Sequence, residues 1–167
     1  MWEIIQSAWW IVYYINKDNQ PRYLLIKRHA LSWKIERVAP KGKIQSWEDV
    51  SKAALREVSE ETWIPINQMK IKQKIWTTQL RNTDNQKWQM DKDVTYFLIE
   101  YFGDPDNVNI DNIEWYIWVY KRASFDEILW LIYYQDIREL MRQCHMIIKE
   151  DKKKFDIKKQ FMQKLDL

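Results

Sequence analysis

Between Gly42 and Ile64 the chain reads GKIQSWEDVSKAALREVSEETWI, which gathers five acids and one arginine into a short stretch. Glu57, Glu60 and Glu61 stand at i, i+3 and i+4, so a helix through them presents all three on one face. Carboxylates held that close repel one another unless a cation sits among them, and hard divalent cations take oxygen donors of this kind. A solvated acidic face is the commoner use of helical glutamates. Here, however, Val50, Ala53 and Ala54 project to the same side as Glu57 and Glu61 at about 100° per residue, which turns the carboxylates toward the protein body. Arg56, about 100° round the helix, carries a planar fork of donors suited to holding one of these glutamates in place.

The elements that must position this set are legible in outline. Ser46 and Asp49 have the spacing of a capping box that opens the helix, and Pro65 closes the pattern after Thr62. Upstream, AWWIVYYI and YLLIK read as two strands separated by the turn formers of Asn16 to Pro21. Residues 29 to 35 read as a polar loop, and ERVAPKGK leads into the helix with Pro40 and Gly42 shaping the approach. Downstream, MKIKQKIWTTQL alternates apolar and polar residues as a strand does, and DVTYFLIEYF reads as a more buried one. RNTDNQKWQMDK is a polar hairpin loop, GDPDNVNIDN a turn-rich connection, and EWYIWVY a further strand. Ser124 and Glu127 form another capping box, ahead of the helix FDEILWLIYY and a second helical segment, QDIRELMRQCHMII.

The stretch from Gly42 resembles the signature of the Nudix hydrolases: Gly, five residues, Glu, seven residues, then Arg-Glu-aliphatic-any-Glu-Glu-any-Gly-aliphatic. Gly42, Glu48, Arg56, Glu57, Glu60 and Glu61 match, with Val58 and Ile64 in the aliphatic slots. The resemblance extends from Ser7 to about Cys144. It implies an α/β fold, a Nudix-type α/β/α sandwich with a mixed central β-sheet, over residues 1–148, followed by a basic tail or helix at 149–167. It implies hydrolysis of a pyrophosphate bond in a nucleoside diphosphate linked to another group, a dinucleoside polyphosphate or an NTP among them. Mg²⁺ or Mn²⁺ would be held by Glu57, Glu60, Glu61 and the Gly42 carbonyl, with Arg56 and Glu48 organising the carboxylates. Glu114 is the candidate for the remaining acid–base carboxylate, with Asp111 and Glu100 as competitors. Lys41, Lys43 and Arg81, with Lys87 beside it in the same loop, are candidates to meet substrate phosphates. PKGK before the helix leans toward dinucleoside polyphosphate and diphosphoinositol polyphosphate hydrolases. Alternatives are an RNA 5′-end pyrophosphohydrolase, which calls for a basic groove, and an inactive Nudix-fold binding or regulatory module, against which the intact Arg-Glu-any-any-Glu-Glu set speaks.

Trp63 stands where that signature has its second glycine. Trp9 and Trp10 fall on the glycine-like start of the family's first strand, and Trp47 precedes Glu48 where Gly-Glu is usual. The chain has 2 glycines and 11 tryptophans, where about 12 glycines are ordinary for this length. These substitutions suggest UGA codons that the source lineage reads as glycine; Trp118, by contrast, matches a tryptophan of the family.

The remaining composition is that of one soluble domain: 167 residues, 46% apolar and 31% charged. No apolar run has the length of a membrane span and the N-terminal residues lack a signal-peptide pattern, so a cytoplasmic protein without a membrane partner is expected. The net charge of +3 arises in residues 149–167, which hold seven lysines and four acids. The balanced body argues against nucleic acid and for a small nucleotide or polyphosphate partner. Ile157, Phe161 and Leu165, spaced by four, allow the tail to dock as a helix on the body or on a second subunit of a homodimer. The lone Cys144 reads as a packing residue. His145 reads as exposed or as suiting a helix C-terminus, and His29, in the loop after YLLIKR, is placed to reach a substrate.

Overall fold

Alternation dominates the first strand of the computed structural model, which describes residues 5–29, 35–38, 41–45, 47–80, 92–109, 116–132 and 134–165. In β1 (Ile5–Ile15), Ala8, Trp10, Val12 and Tyr14 enter one core, whereas Ile11 and Tyr13 enter another. Successive side chains of a strand point to opposite faces, so a strand that is apolar at every position from Ala8 to Ile15 must be covered on both sides.

The coverings are helical. On one face α1 (Val50–Thr62) buries Ala54 and Val58 against Trp10, Val12, Phe97 and Ile99. On the other, α2 (Phe125–Leu131) and α3 (Gln135–Leu165) bring Ile128, Ile137, Leu140, Met141, Cys144 and Ile148 onto Ile11, Tyr23, Leu25, Val94, Tyr96 and Leu98. The result is the expected α/β/α sandwich.

Between these layers the described residues form one seven-stranded sheet of β1 with β2 (Pro21–His29), β3 (Ile35–Val38), β4 (Lys41–Lys43), β5 (Met69–Leu80), β6 (Lys92–Tyr101) and β7 (Tyr116–Ala123). Its central path runs β3-β2-β1-β6-β5, with β4 paired to β1 and β7 to β2. The sheet is mixed: β1 and β6 are parallel from Ile5↔Lys92 to Tyr13↔Glu100, and every other pairing among the described residues is antiparallel.

Three local expectations change. The polar approach to the helix contains β3, which pairs with β2 from Ile26↔Val38 to His29↔Ile35; four residues with two adjacent charges, Glu36 and Arg37, at their centre show no strand alternation and are too short a run to announce a strand. Asp49, not Ser46, is the N-cap of α1: its side chain accepts from the Ser51 and Lys52 amides at 2.9 and 3.2 Å. An aspartate in that position satisfies two of the orphan N–H groups of the first turn, and Ser46 lies outside the described residues. Finally, the first of the two late helices stops at Leu131, because Ile132 is extended and buried in the core, while α3 continues as one helix through residues 149–165. The Ser124–Glu127 capping box is present as anticipated, with both reciprocal hydrogen bonds formed.

Candidate active site

Helix α1 approaches the sheet through small side chains, Ala53 and Ala54, both fully buried. Val58 and Thr62 continue that face, and the Thr62 hydroxyl donates to the Val58 carbonyl one turn back. The carboxylates therefore stand on the flank of a helix seated tightly on the sheet. Their exposures differ: the Glu57 side chain is 16% exposed and that of Glu60 is 60% exposed, with Glu61 intermediate. Projection had turned all three toward the body; Glu60 departs from this and reaches along the helix surface.

Arg56 explains the departure. Its Nη1 donates to Glu60 Oε2 at 2.9 Å, its Nε and Nη2 donate to the two oxygens of Glu48 at 2.9 Å each, and Nη2 also lies 2.9 Å from Glu57 Oε1. One guanidinium thus ties together three acids of the signature. The two-pronged bond to Glu48 uses the planar geometry that lysine lacks. It also fastens the segment just before α1 to the helix's second turn.

The electrostatics follow from this contact set. The hydrogen bonds from Arg56 hold the Glu48 carboxyl below the usual range, and the same bonds raise the affinity of Arg56 for its proton. Glu57 moves the other way: burial raises its pKa, only partly offset by Arg56, and the neighbouring charges of Glu60 and Glu48 push it further up. A half-buried carboxylate whose charged form is disfavoured gains most from a nearby cation.

Among the described residues, no three His, Cys, Asp or Glu side chains converge on one point as metal ligands do, since Arg56 is the cation to which Glu57 and Glu60 turn. The donor set nevertheless fits Mg²⁺ or Mn²⁺: it is anionic, consists of oxygen alone, and lies on a rigid helix. Gly42 is the middle residue of β4, paired with Ala8 of β1, and β4 packs beside α1. Lys41 and Lys43 flank it in β4, though their side chains lie outside the described residues.

The other candidates separate cleanly. Glu114, Asp111, Arg81 and Lys87 lie outside the described residues. Glu100 is on the opposite side of the sheet from α1, 3.4 Å from Lys72 Nζ, which also sits 3.4 Å from Asp151 of α3. Its position on β6 has the parity of Val94, Tyr96 and Leu98, so it cannot serve the α1 carboxylates. His29 ends β2 and pairs with Ile35. His145 is neither exposed nor at a helix end. It lies in mid-helix, with Nδ1 2.7 Å from the Tyr23 hydroxyl and its ring stacked on Phe125 at 3.9 Å. Burial, aided by Lys149, lowers its pKa. Cys144 is fully buried, its thiol pushed up to about 12 by burial, which suits packing and not nucleophilic chemistry.

One contact had no signature in the residue types. The Asn109 amide donates to the Thr62 carbonyl at 3.0 Å, while Val108 packs into the same core as Val58 and Ile64. The chain entering residues 110–115 is thereby fastened to the end of α1. A backbone-to-backbone bond leaves no trace in side-chain spacing.

Comparison with known proteins agrees with this architecture. A family model described as the NUDIX domain matches residues 5–142. A Caenorhabditis elegans Ap4A hydrolase in a binary complex superposes with a TM-score of 0.69 at 20% identity, covering 88% of this chain and 99% of that one. The NUDIX domain of Shewanella oneidensis NrtR with ADP ribose gives 0.67 at 15% identity, covering 89% and 90%. Escherichia coli dihydroneopterin triphosphate pyrophosphohydrolase gives 0.61 at 14%, covering 83% and 92%. A search among curated proteins found no match.

Proposed function

From the premise that this chain belongs to the Nudix family of pyrophosphohydrolases, we propose that it hydrolyses the pyrophosphate bond of a nucleoside diphosphate linked to another group, using the carboxylates of α1. The observation that carries this reading is the Arg56 hub, which places Glu48, Glu57 and Glu60 around one guanidinium at 2.9 Å. Such order among like charges is a costly arrangement for an inert surface and a useful one for cation chemistry.

Glu57, Glu60 and Glu61 would hold Mg²⁺ or Mn²⁺, aided by the Gly42 carbonyl. When bound, the ion supplies neutralisation of the diphosphate charge and an acidified water for in-line attack at phosphorus. The chain's own residues do the remainder. Glu48 keeps Arg56 in place, and Arg56 in turn orients the glutamates, so both are positioning residues. Glu114 is proposed as the group that takes the proton of the attacking water; the Asn109 to Thr62 bond supports this, since it fastens Asn109, five residues before Glu114 in the sequence, to the end of α1. Lys41, Lys43 and Arg81 are proposed to meet the substrate phosphates. A dinucleoside polyphosphate is the favoured substrate class on the strength of PKGK, with NTPs next.

The test is a panel of diadenosine polyphosphates, NTPs and ADP-ribose incubated with Mg²⁺ and resolved by product. Turnover of a dinucleoside polyphosphate, lost by orders of magnitude in Glu60→Gln and Glu61→Gln with an unchanged fold, is the expected result. Full activity in those variants would remove the carboxylate assignment, and turnover of another panel member alone would remove the substrate class.

A further inference from the structure

At about 1.5 Å per residue, the 31 residues of α3 make a helix on the order of 46 Å long, and its two halves behave differently. Up to Ile148 it contributes to the core. Two further contacts then fasten it: Asp151 lies 3.4 Å from Lys72 Nζ, and the Lys152 ammonium donates to the Asn19 carbonyl. Beyond Lys152 the described side chains are exposed. Phe155, Ile157 and Met162 are 68%, 57% and 51% exposed, a heavy apolar load for a stretch whose described side chains enter neither core.

The sequence of those turns is ordered. Projected at about 100° per residue, Phe155, Ile157, Phe161, Met162 and Leu165 occupy positions within a single arc of roughly 160°. Asp156, Lys153, Lys159, Gln160, Gln163 and Lys164 occupy the opposite arc. Lys154 and Lys158 fall at apolar positions, and their long stems can lie along an apolar layer while the ammonium groups reach out of it. From Lys153 to Leu165 there are five lysines against Asp156 alone.

That charge selects the occupant. A second copy of the same helix would bring like charge against like charge, whereas RNA would satisfy the lysines and leave Phe155, Ile157 and Met162 in water. An anionic lipid surface satisfies both halves, because the apolar arc enters the acyl boundary while the lysines meet headgroup phosphates and carboxylates. We propose that residues 153–165 of α3 form an in-plane anchor for an anionic membrane surface. No described helix is long and apolar enough to cross a membrane, and an anchor lying in the interface has no need to.

The experiment is flotation of the full chain with vesicles of phosphatidylcholine alone and of phosphatidylcholine with phosphatidylserine. Binding is expected only to the second and should disappear in high salt. Replacing Phe155, Ile157 and Met162 together by serine should reduce binding at least about tenfold, as should replacing Lys153, Lys154, Lys158 and Lys159 by glutamine. All these positions are exposed, so melting temperature and pyrophosphatase turnover in solution should not change. Absence of binding to anionic vesicles overturns the proposal. So does binding to single-stranded RNA that the lysine variant loses and the serine variant keeps, or self-association in sedimentation that the serine variant abolishes.

Discussion

Trp63 adopts φ 58° and ψ 14° at the end of α1, where its amide bonds the Ser59 carbonyl. The other non-glycine residue at positive φ among those described is Asn19, a type that visits this region readily, whereas a bulky side chain there costs about 1–2 kcal/mol. The ring recovers little of that, being 54% exposed. Trp63→Gly should therefore raise stability by about 1–2 kcal/mol, read as a higher melting temperature; a fall would show that tryptophan is the natural residue. Sequencing the codons at positions 9, 10, 47 and 63 tests the same idea at its source, since UGG there rules it out. Trp10 is not of this exposed kind, for it is fully buried with an indole N–H that finds no acceptor, a defect worth about 1–3 kcal/mol. Arg56→Lys tests the hub: a lysine cannot make the forked bond to Glu48, so turnover should fall severalfold or more while stability, in a partly exposed network, drops by no more than about 1 kcal/mol. Equal activity would show that the fork does not position the glutamates. The carboxylate spacing was readable because helical geometry is fixed. The pairing of Arg56 with Glu48 was not, since eight residues is no helical contact distance and the bond depends on how residues 47–49 fold back over the first turns.

Among the elements, α1 has the most testable boundary. If Asp49 is the cap, Asp49→Ala should lower stability by about 1 kcal/mol and Ser46→Ala should not; the reverse ranking would restore the capping box at Ser46. Both serine-led signals had the right spacing, and what distinguished them was the competition from a better cap three residues on in the first case, and its absence at Ser124. Strands of nine residues or more announced themselves through alternation and apolar runs. Strand β3 did not, because its pairing with β2 is decided by the neighbouring chain and not by IERV itself. Likewise, the unbroken course of α3 reflects a run of good helix formers with no glycine or proline from Gln135 to Leu165, a weak preference beside the change in composition at residue 149.

The whole molecule responds to acid through groups on both faces of the sheet. His145 is half-buried as the neutral partner of Tyr23, and its pKa lies below the ordinary 6.5. The unfolded chain therefore binds more protons, and the contribution of His145 is complete above 6.5 and fades as the pH falls through that value toward its folded pKa. Glu48, depressed from 4.5 by Arg56, adds a second loss at lower pH in the same direction. Glu57, raised by burial, acts in the opposite direction, so the fall in stability on acidification should be read as the pH drops through 6.5, where His145→Asn should flatten the curve. The protein has two histidines, so an unaltered curve would transfer that effect to His29. At this scale the family signature conveyed the layered architecture, but the use of His145 as a brace between α3 and β2 depends on an approach of residues 122 positions apart that no local pattern encodes. Strand β1 joins these faces most directly: it bonds β6 along one edge and β2 and β4 along the other, while its alternate side chains fill both cores. Losing either helical layer would expose β1 side chains that fill its core, so the two layers should melt as a single cooperative unit. In native-state hydrogen exchange the β1 amides would be the last to trade their protons, reporting global opening even while the outer turns of α3 exchange freely.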